Sequence, residues 1–520
     1  MTGILRVCLV VLLAGLLSAC ATLKTDVPRV ASHARAPDPA VPLGRLADRL
    51  ADPPGPRFRL LESGRAALAA RMALAEQARQ TLDLQYYLFH DDVSGRLLVD
   101  ALLRAADRGV RVRVLLDDVD TAENELAIIG LDAHKNIQIR LYNPFTVRGN
   151  APLGRALEFL GDKDRLNRRM HNKLFLADNH FGIAGGRNIG DEYFQVEHEV
   201  AFRDLDVLAL GTPVRAMSRA FDAYWNSEHS VPARALPHDG PRRFLLRGNR
   251  EALEAHRREV AGRMAEYLSL DALGPAPAPG LGPWTAGEAE LLLDDPDKTA
   301  GQADAKDLPL TRLLRLGDQA RKELLIASPY FVPGRLGTDF LAQLRQRGVR
   351  VRILTNSLAA NDVAVVHAGY ARYRPPLLLA GVELHELKPV KQAPLARFVN
   401  VKGSSRASLH SKALVVDRQV AYVGSMNLDP RSALLNTESG LILRSPELAE
   451  QVARYIESDM GPTRSYRVKL DPDSPPEVRS LLWLDQRRDG ETIHRVEPEV
   501  GLTRRLLIDA LGLLPIEGDL

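Results

Sequence analysis

His171 and Lys173, in the stretch MHNKLFLADNHFGIAGGRN (170–188), set an imidazole and an ammonium two residues apart, with Asp178 five beyond the lysine. The stretch LHSKALVVDRQVAYVGSMN (409–427) repeats the set as His410, Lys412 and Asp417. In a strand, residues i and i+2 share a face, so each stretch offers one histidine and one lysine on one surface. If the two surfaces meet, two imidazoles and two ammonium groups surround a phosphodiester. The lysines bind its non-bridging oxygens, a neutral histidine attacks phosphorus, and a protonated histidine donates to the leaving oxygen. Negative charge grows in the five-coordinate transition state, so the ammonium groups hold it more strongly than the ground state. The two imidazoles must then differ in protonation and titrate as a pair. Neither stretch is surrounded by a further His, Cys and carboxylate set with ligand spacing, so no metal and no cofactor is expected.

Other positions recur with the motif. Asn188 and Asn427, ten residues after each aspartate, are candidate donors to phosphate oxygens. The small pairs Gly185-Gly186 and Gly424-Ser425 let backbone or substrate come close. Glu199 and Glu438 each follow their histidine by 28 residues (199 − 171 and 438 − 410) and are expected to orient the imidazoles, as the third member of a triad does. Asp178 and Asp417 complete the candidate catalytic set, although strand alternation turns them to the opposite face, where a salt bridge or turn cap is the favoured role. Tyr87 and Tyr330 end equivalent strands, as cleft residues or as core.

The positioning elements are legible from a long repeat. RGVRVRVL at 108 returns as RGVRVRIL at 347, an offset of 239 (347 − 108) that also separates the histidines (410 − 171). Such a period means duplication of a whole domain rather than a solenoid. In each half a buried strand (TLDLQYYL, ELLIASPYF), a helical stretch and the RGVRVR strand follow in order, which predicts parallel pairing through a right-handed crossover. Two α/β halves packed about a pseudo-twofold axis would bring both motifs to one cleft.

The chain has 520 residues, 45% hydrophobic and 26% charged, which suits a folded soluble body and excludes a disordered chain or a multi-span membrane protein. The formal charge of +3 is too small to mark a dedicated nucleic-acid binder, and no nucleic-acid partner is expected. The apolar run 7–17 has the length of a signal-peptide core, about half of a spanning helix. It ends in Leu17-Ser18-Ala19-Cys20, which resembles the lipobox of bacterial lipoproteins, with a plain secretory signal as the alternative. Only Cys8 and Cys20 occur, so a processed body would hold no disulfide. An acylated Cys20 would place the chain on a membrane surface facing the periplasm, and Ala21 points to the outer membrane. The resulting expectation is a signal at 1–20, a flexible Pro-rich tether at 21–55, an N-terminal domain at 56–240, an inter-lobe connection at 241–305, a C-terminal domain at 306–470 and an extension at 471–520. Arg165, Arg168 and Arg169 form a basic cluster before the first motif, read as a headgroup contact or a solvated face. Residues 502–515 read as a helix packed on the body or lying in a bilayer interface.

At the two motifs the chain resembles the phospholipase D superfamily, whose HKD signature is this His, Lys and Asp followed by G-G/S-x-N. The stretches LDLQYYLFHDDVSGRLL, RLNRRMHNK, GGRNIGDEYF, LTNSLAANDVAVVHAGYARYR, GVELHELKP and DPRSALLNTE are similar to its bacterial cardiolipin synthase C branch, over roughly residues 56–500. The resemblance implies two phospholipase D-like αβα-sandwich domains with the site at their interface. It also implies a phosphatidyl-histidine intermediate and transfer to phosphatidylglycerol from phosphatidylethanolamine or phosphatidylglycerol. His171 is expected as nucleophile and His410 as general acid, with the reverse allowed by the pseudo-symmetry. Hydrolysis to phosphatidic acid uses the same residues, and a nuclease of the same superfamily is the more distant alternative.

Overall fold

The computed structural model describes residues 22–24, 26–148, 152–196, 201–302, 308–361, 363–389, 409–475, 479–487 and 490–512. Among these residues the strands form two sheets. In chain order the first contains β1 (Arg57–Leu61), β2 (Thr81–Tyr86), β3 (Arg111–Asp117), β4 (Ile137–Tyr142), β5 (Leu174–Ala177), β6 (Phe181–Gly185), β7 (Asp206–Leu210), β8 (Ser230–Pro232) and β9 (Thr285–Ala286). The second contains β10 (Glu288–Leu293), β11 (Glu323–Ala327), β12 (Arg350–Asn356), β13 (Glu383–Leu387), β14 (Lys412–Val416), β15 (Val420–Gly424), β16 (Ser439–Arg444), β17 (Ser465–Leu470), β18 (Leu481–Arg487) and β19 (Gly490–His494). Six neighbouring strands run β4-β3-β2-β5-β6-β7 in one sheet and β13-β12-β11-β14-β15-β16 in the other. The duplication is therefore one of topology as well as of sequence. β2, β3 and β4 pair in parallel, as do β11, β12 and β13, while the motif strands β5 and β14 join antiparallel to β2 and β11.

Local chemistry explains the crossovers. The helix Val93–Asp107 begins at Asp92, whose carboxylate accepts from the Gly95 amide at 2.9 Å, and the helix Gly64–Gln77 begins at Ser63, whose hydroxyl accepts from Ala66. After the helices Val93–Asp107 and Gly334–Gln346, Gly109 (φ +94°) and Gly348 (φ +83°) turn the chain into β3 and β12. The repeated Arg-Gly is thus a helix stop that needs positive φ.

Hydrophobic packing lies in layers. A central core shared by both halves unites Phe58, Leu174 and Leu176 with Leu325, Ala413 and Val415, with the helices Thr212–Asn226 and Pro446–Met460 beside it. The outward face of each sheet has its own apolar cluster.

Three boundaries differ from the sequence reading. Residues 22–50 are not a free tether. Leu23 and Lys24 donate to the carbonyls of Thr146 and Ala235, Ala34 donates to Asp222, and the helix Pro42–Leu50 buries Leu43 and Ala47 against the first half. The 27-residue helix Arg242–Leu268, read as a connection, covers the first sheet's helical layer, and the chain changes sheet at Gly287, between β9 and β10. Past 471, β18 and β19 extend the second sheet. The helix Leu502–Gly512 packs through Ile508 and Leu511 on Leu358, Ala359 and Ala368 while leaving Leu502, Leu506 and Leu507 exposed.

Asp178 and Asp417 are structural. Each sits in the turn of the hairpin that its motif strand opens, at φ 49° and 50°. The Asp178 carboxylate accepts from the amides of Arg79, Gln80 and Thr81 at 2.9, 2.7 and 2.9 Å, and Asp417 does the same for Arg321, Lys322 and Glu323. Both carboxylates clamp the entry of the parallel strand next door, roughly 17 Å along the motif strand from the lysine at about 3.3 Å per residue. Asp178→Ala should cost about 3 kcal/mol, since it strands buried amides. Thermal unfolding should show the loss, while the folded fraction retains its specific activity within about twofold.

Candidate active site

Each motif begins on a strand-like contact with the other half. Met170 bridges Thr437 in parallel, with the His171 amide donating to the Thr437 carbonyl at 2.9 Å. Leu409 bridges Arg203 in the same way, and the His410 amide donates to the Arg203 carbonyl at 2.8 Å. The residue after each bridge is a fully buried carboxylate, Glu438 or Asp204. The pairing is therefore crossed between halves. His171 Nδ1 lies 2.9 and 3.0 Å from the Glu438 oxygens, and His410 Nδ1 lies 2.6 Å from Asp204 Oδ2.

Glu438, expected near its own half's histidine, serves the opposite one. Glu199 lies outside the described residues, and Asp204, which the spacing does not indicate, occupies the carboxylate position at His410. Strand register gives the reason. Gly185 faces Asp206 and Gly424 faces Gly440, so the motif offset of 239 (424 − 185) drops to 234 (440 − 206) past the motif. Five extra residues in the first half move the carboxylate. Aligning the apolar strands DLDVLAL and ESGLILR, rather than counting from histidine, would have found it.

The small pairs serve these carboxylates. A Cβ on Gly186 would meet Asp204 Oδ1 at 2.2 Å, whereas at the equivalent position the Ser425 hydroxyl donates to Glu438. Asn188 accepts from the Leu88 amide at 3.3 Å and donates to the Tyr193 hydroxyl at 3.0 Å. Asn427 is buried, and its Oδ1 has no hydrogen-bond partner among the described residues. Tyr87 packs edge-on against His171 at 5.0 Å between ring centroids, and Tyr193 and Phe202 both stand 5.1 Å from His410. Tyr330 packs with Val332 and Val363 instead.

Lys173 and Lys412 are almost wholly buried, and each donates to the carbonyl of the histidine two residues earlier, Lys173 at 2.6 Å. Burial, offset in part by Glu438, holds the Lys173 ammonium down to about 7. Burial and the two lysines push both imidazoles down, His171 well below its usual value and His410 to about 3. Both are neutral near pH 7, each donating through Nδ1 and leaving the Nε2 lone pair free. The carboxylates differ. Burial lifts Glu438 to about 7 against the pull of Lys173, whereas for Asp204 the upward push of burial is overcome by His410 and Lys412, which hold it at about 2.

Of the basic cluster, Arg169 turns inward and Arg165 and Arg168 stay half-buried. Arg169 is buried on Asp117 at 2.6 Å, Arg165 binds Asp162 and Asn143, and Arg168 donates to the Lys298 and Asp164 carbonyls. His90, Asp92 and Glu192 lie close enough together to share a cation, and Glu192, 3.1 Å from Nδ1, raises His90 to about 9.

Residues 72–225 and 313–460 match the family described as "Cardiolipin synthase, PLD-like domain". The chain is 40% identical over 459 residues to Cardiolipin synthase C of Escherichia coli (strain K12), covering 88% of this chain and 94% of that one. It is 26% identical over 434 residues to Cardiolipin synthase A of Pseudomonas syringae pv. syringae (strain B728a), covering 83% and 73%. The crystal structure of phosphatidylserine synthase from Haemophilus influenzae Rd KW20 shares the fold, with a TM-score of 0.56 at 15% identity over 91% of this chain and 100% of that one. With a family match over both halves and a relative aligned along most of its length, the chain belongs to the cardiolipin synthase family of phospholipase D-like phosphatidyltransferases.

Proposed function

We propose that this enzyme makes cardiolipin by moving a phosphatidyl group through a phosphohistidine onto phosphatidylglycerol, with phosphatidylethanolamine or a second phosphatidylglycerol as donor. The observation that carries the reading is the crossed pair of imidazoles, each backed at Nδ1 by a carboxylate from the other half, beside two buried lysines. His171 Nε2 attacks phosphorus, and the phosphorus–oxygen bond to the donor headgroup breaks. The departing alkoxide takes a proton from His410. The hydroxyl of the acceptor phosphatidylglycerol then gives its proton to His410 and attacks phosphorus, freeing His171.

The assignment of roles follows the carboxylates. Asp204 stays ionised and so stabilises an imidazolium at His410, the acid. Glu438 titrates near the imidazole range and balances the charge that develops on His171 as it is phosphorylated. Arrival of the phosphodiester anion offsets the lysine charges that keep His410 neutral, so the substrate itself supplies the condition for protonation. Asn188 and Asn427 stand ready to donate to phosphate oxygens.

Lipid mass spectrometry after incubation with phosphatidylglycerol, alone and with phosphatidylethanolamine, tests the reading. Cardiolipin should form, rise when the better donor is added, and disappear in His171→Ala. Phosphatidic acid without cardiolipin would replace transfer by hydrolysis.

The buried lysine also sets a pH dependence. Phosphate binding needs the Lys173 ammonium, which is lost as pH rises through about 7 in the free enzyme. The bound anion holds that proton in place. The alkaline limb of kcat/KM should therefore begin near pH 7, and that of kcat at least one unit higher, since the first reports free enzyme and the second the complex.

The working environment in this proposal is a lipid surface. The helix Pro152–Gly161 exposes Leu153, Leu157 and Leu160 on one stripe, while Glu158 accepts from the Thr146 and Val147 amides. Leu153→Asp with Leu157→Asp should weaken binding to phosphatidylglycerol vesicles about tenfold in a sedimentation assay. The lipid anchor expected at Cys20, with its periplasmic, outer-membrane placement, belongs to the same proposal and rests on residues 1–21, outside those described. Among the described residues no helix is long and apolar enough to cross a membrane.

A further inference from the structure

A cavity of about 260 Å³ lies inside the first half, between the outward face of its sheet and the helices Val93–Asp107, Glu125–Asp132 and Arg242–Leu268. Its sheet wall is built by register: Val112 and Val114 of β3 stand beside Ile137 and Ile139 of β4. Opposite them, Val99 and Leu102 project from one face of the helix Val93–Asp107. Packed interiors keep few voids larger than a water molecule, and a space this size exceeds a packing defect. Mostly aliphatic walls give water few of the two to four polar partners it needs, so the space suits an apolar occupant.

His90, Asp91, Arg96 and Asp120 belong to the lining, with Asn124 and Asn249 further polar residues of the wall, and Tyr87 and Asp117 tie it to the active site. Tyr87 packs edge-on against His171, and the Asp117 carboxylate accepts from the Met170 amide at 2.8 Å. The cavity thus shares two of its lining residues with the surroundings of the first motif. A mostly aliphatic space beside the chemistry suits a glycerophospholipid with its phosphate at the lysines and a hydrocarbon chain running inward.

We propose that this cavity holds a fatty acyl chain of the phospholipid that reacts at His171 and His410. The inference rests on the phospholipid reading of the site and adds where a chain goes. The two sheets differ past this point: β17 to β19 continue beyond β13, whereas β4 is followed only by the short β8.

The test compares dioleoyl with dibutanoyl phosphatidylglycerol in wild type, Val99→Phe and Val114→Phe, both of which narrow the cavity without touching a histidine, lysine or carboxylate of the site. Long-chain kcat/KM should fall at least tenfold and short-chain kcat/KM stay within twofold, which also shows that the variants fold. Independently, hydrogen exchange on the wild type with palmitoyl lysophosphatidylglycerol below its micelle concentration should protect amides in 93–107 and 111–117. Equal losses on both lipids, or no loss on either, would overturn the pocket, as would absent protection. If the variants do not fold, the protection measurement decides alone. A wild type that turns over neither lipid defeats the phosphatidyltransfer reading, and the exchange experiment still decides whether the cavity takes a chain.

Discussion

Asp204→Asn should lower phosphatidyl transfer by about three orders of magnitude with little change in stability, and Glu438→Gln should have a smaller effect of about a hundredfold. An amide in place of an orienting carboxylate preserves shape while favouring the wrong imidazole tautomer, and in a serine-protease triad that exchange costs about 10⁴ in kcat. Here His410 Nδ1 lies 2.6 Å from Asp204 Oδ2, so an amide NH₂ at that position forces Nδ1 to accept and places the hydrogen on Nε2. Neutral Nε2–H can no longer take up and return a proton. The Glu438 effect is smaller because this carboxylate, lifted to about 7 by burial, already spends part of its time protonated near neutral pH and because the Ser425 hydroxyl shares its load. Cardiolipin formation followed by mass spectrometry gives both rates. If the two substitutions have equal effects, the division of acid and nucleophile between the halves loses its electrostatic basis.

The crossed geometry also shows where a sequence is readable. The strands, the parallel crossovers and the two histidine–lysine pairs are legible because each is encoded within about ten residues, by alternation and by the Arg-Gly stop. Asp204 is not, since its identification needs a strand-to-strand register across a five-residue length difference. The Arg165–Arg169 cluster looks like a surface because the partner that buries Arg169, Asp117, is 52 residues away (169 − 117) and on another strand. Residues 22–50 read as a tether on proline content, yet Leu43 and Ala47 lie four apart on one helical face, a signal too short to outweigh the composition. Asp178 and Asp417 show the reverse case: strand parity alone turns them away from the histidines, and the structure gives each three backbone amides to hold.

His171→Ala and His410→Ala should each reduce cardiolipin formation from phosphatidylethanolamine by up to about 10⁴, but they should part on a substrate whose leaving group needs no proton. With a p-nitrophenyl phosphodiester of a diacylglycerol, the leaving phenolate departs unassisted. His410→Ala should then release about one equivalent of nitrophenol in a burst and accumulate a phosphoenzyme at His171, because the second step still lacks its base. His171→Ala should show no burst, since the atom that forms the covalent bond is gone. The difference is a consequence of general acid catalysis being worth about 10²–10⁴ only where a poor leaving group must be protonated, whereas nucleophilic catalysis requires the nucleophile with any leaving group. Quenched-flow spectroscopy reads the burst, and peptide mass spectrometry under alkaline conditions, where phosphohistidine survives, locates it. A burst in His171→Ala with the label in residues 409–416 would exchange the two roles while leaving the crossed carboxylates in place. That outcome would mean that Asp204, the carboxylate held ionised, serves the nucleophile, and that charge balance at the phosphorylated ring outweighs support of the acid.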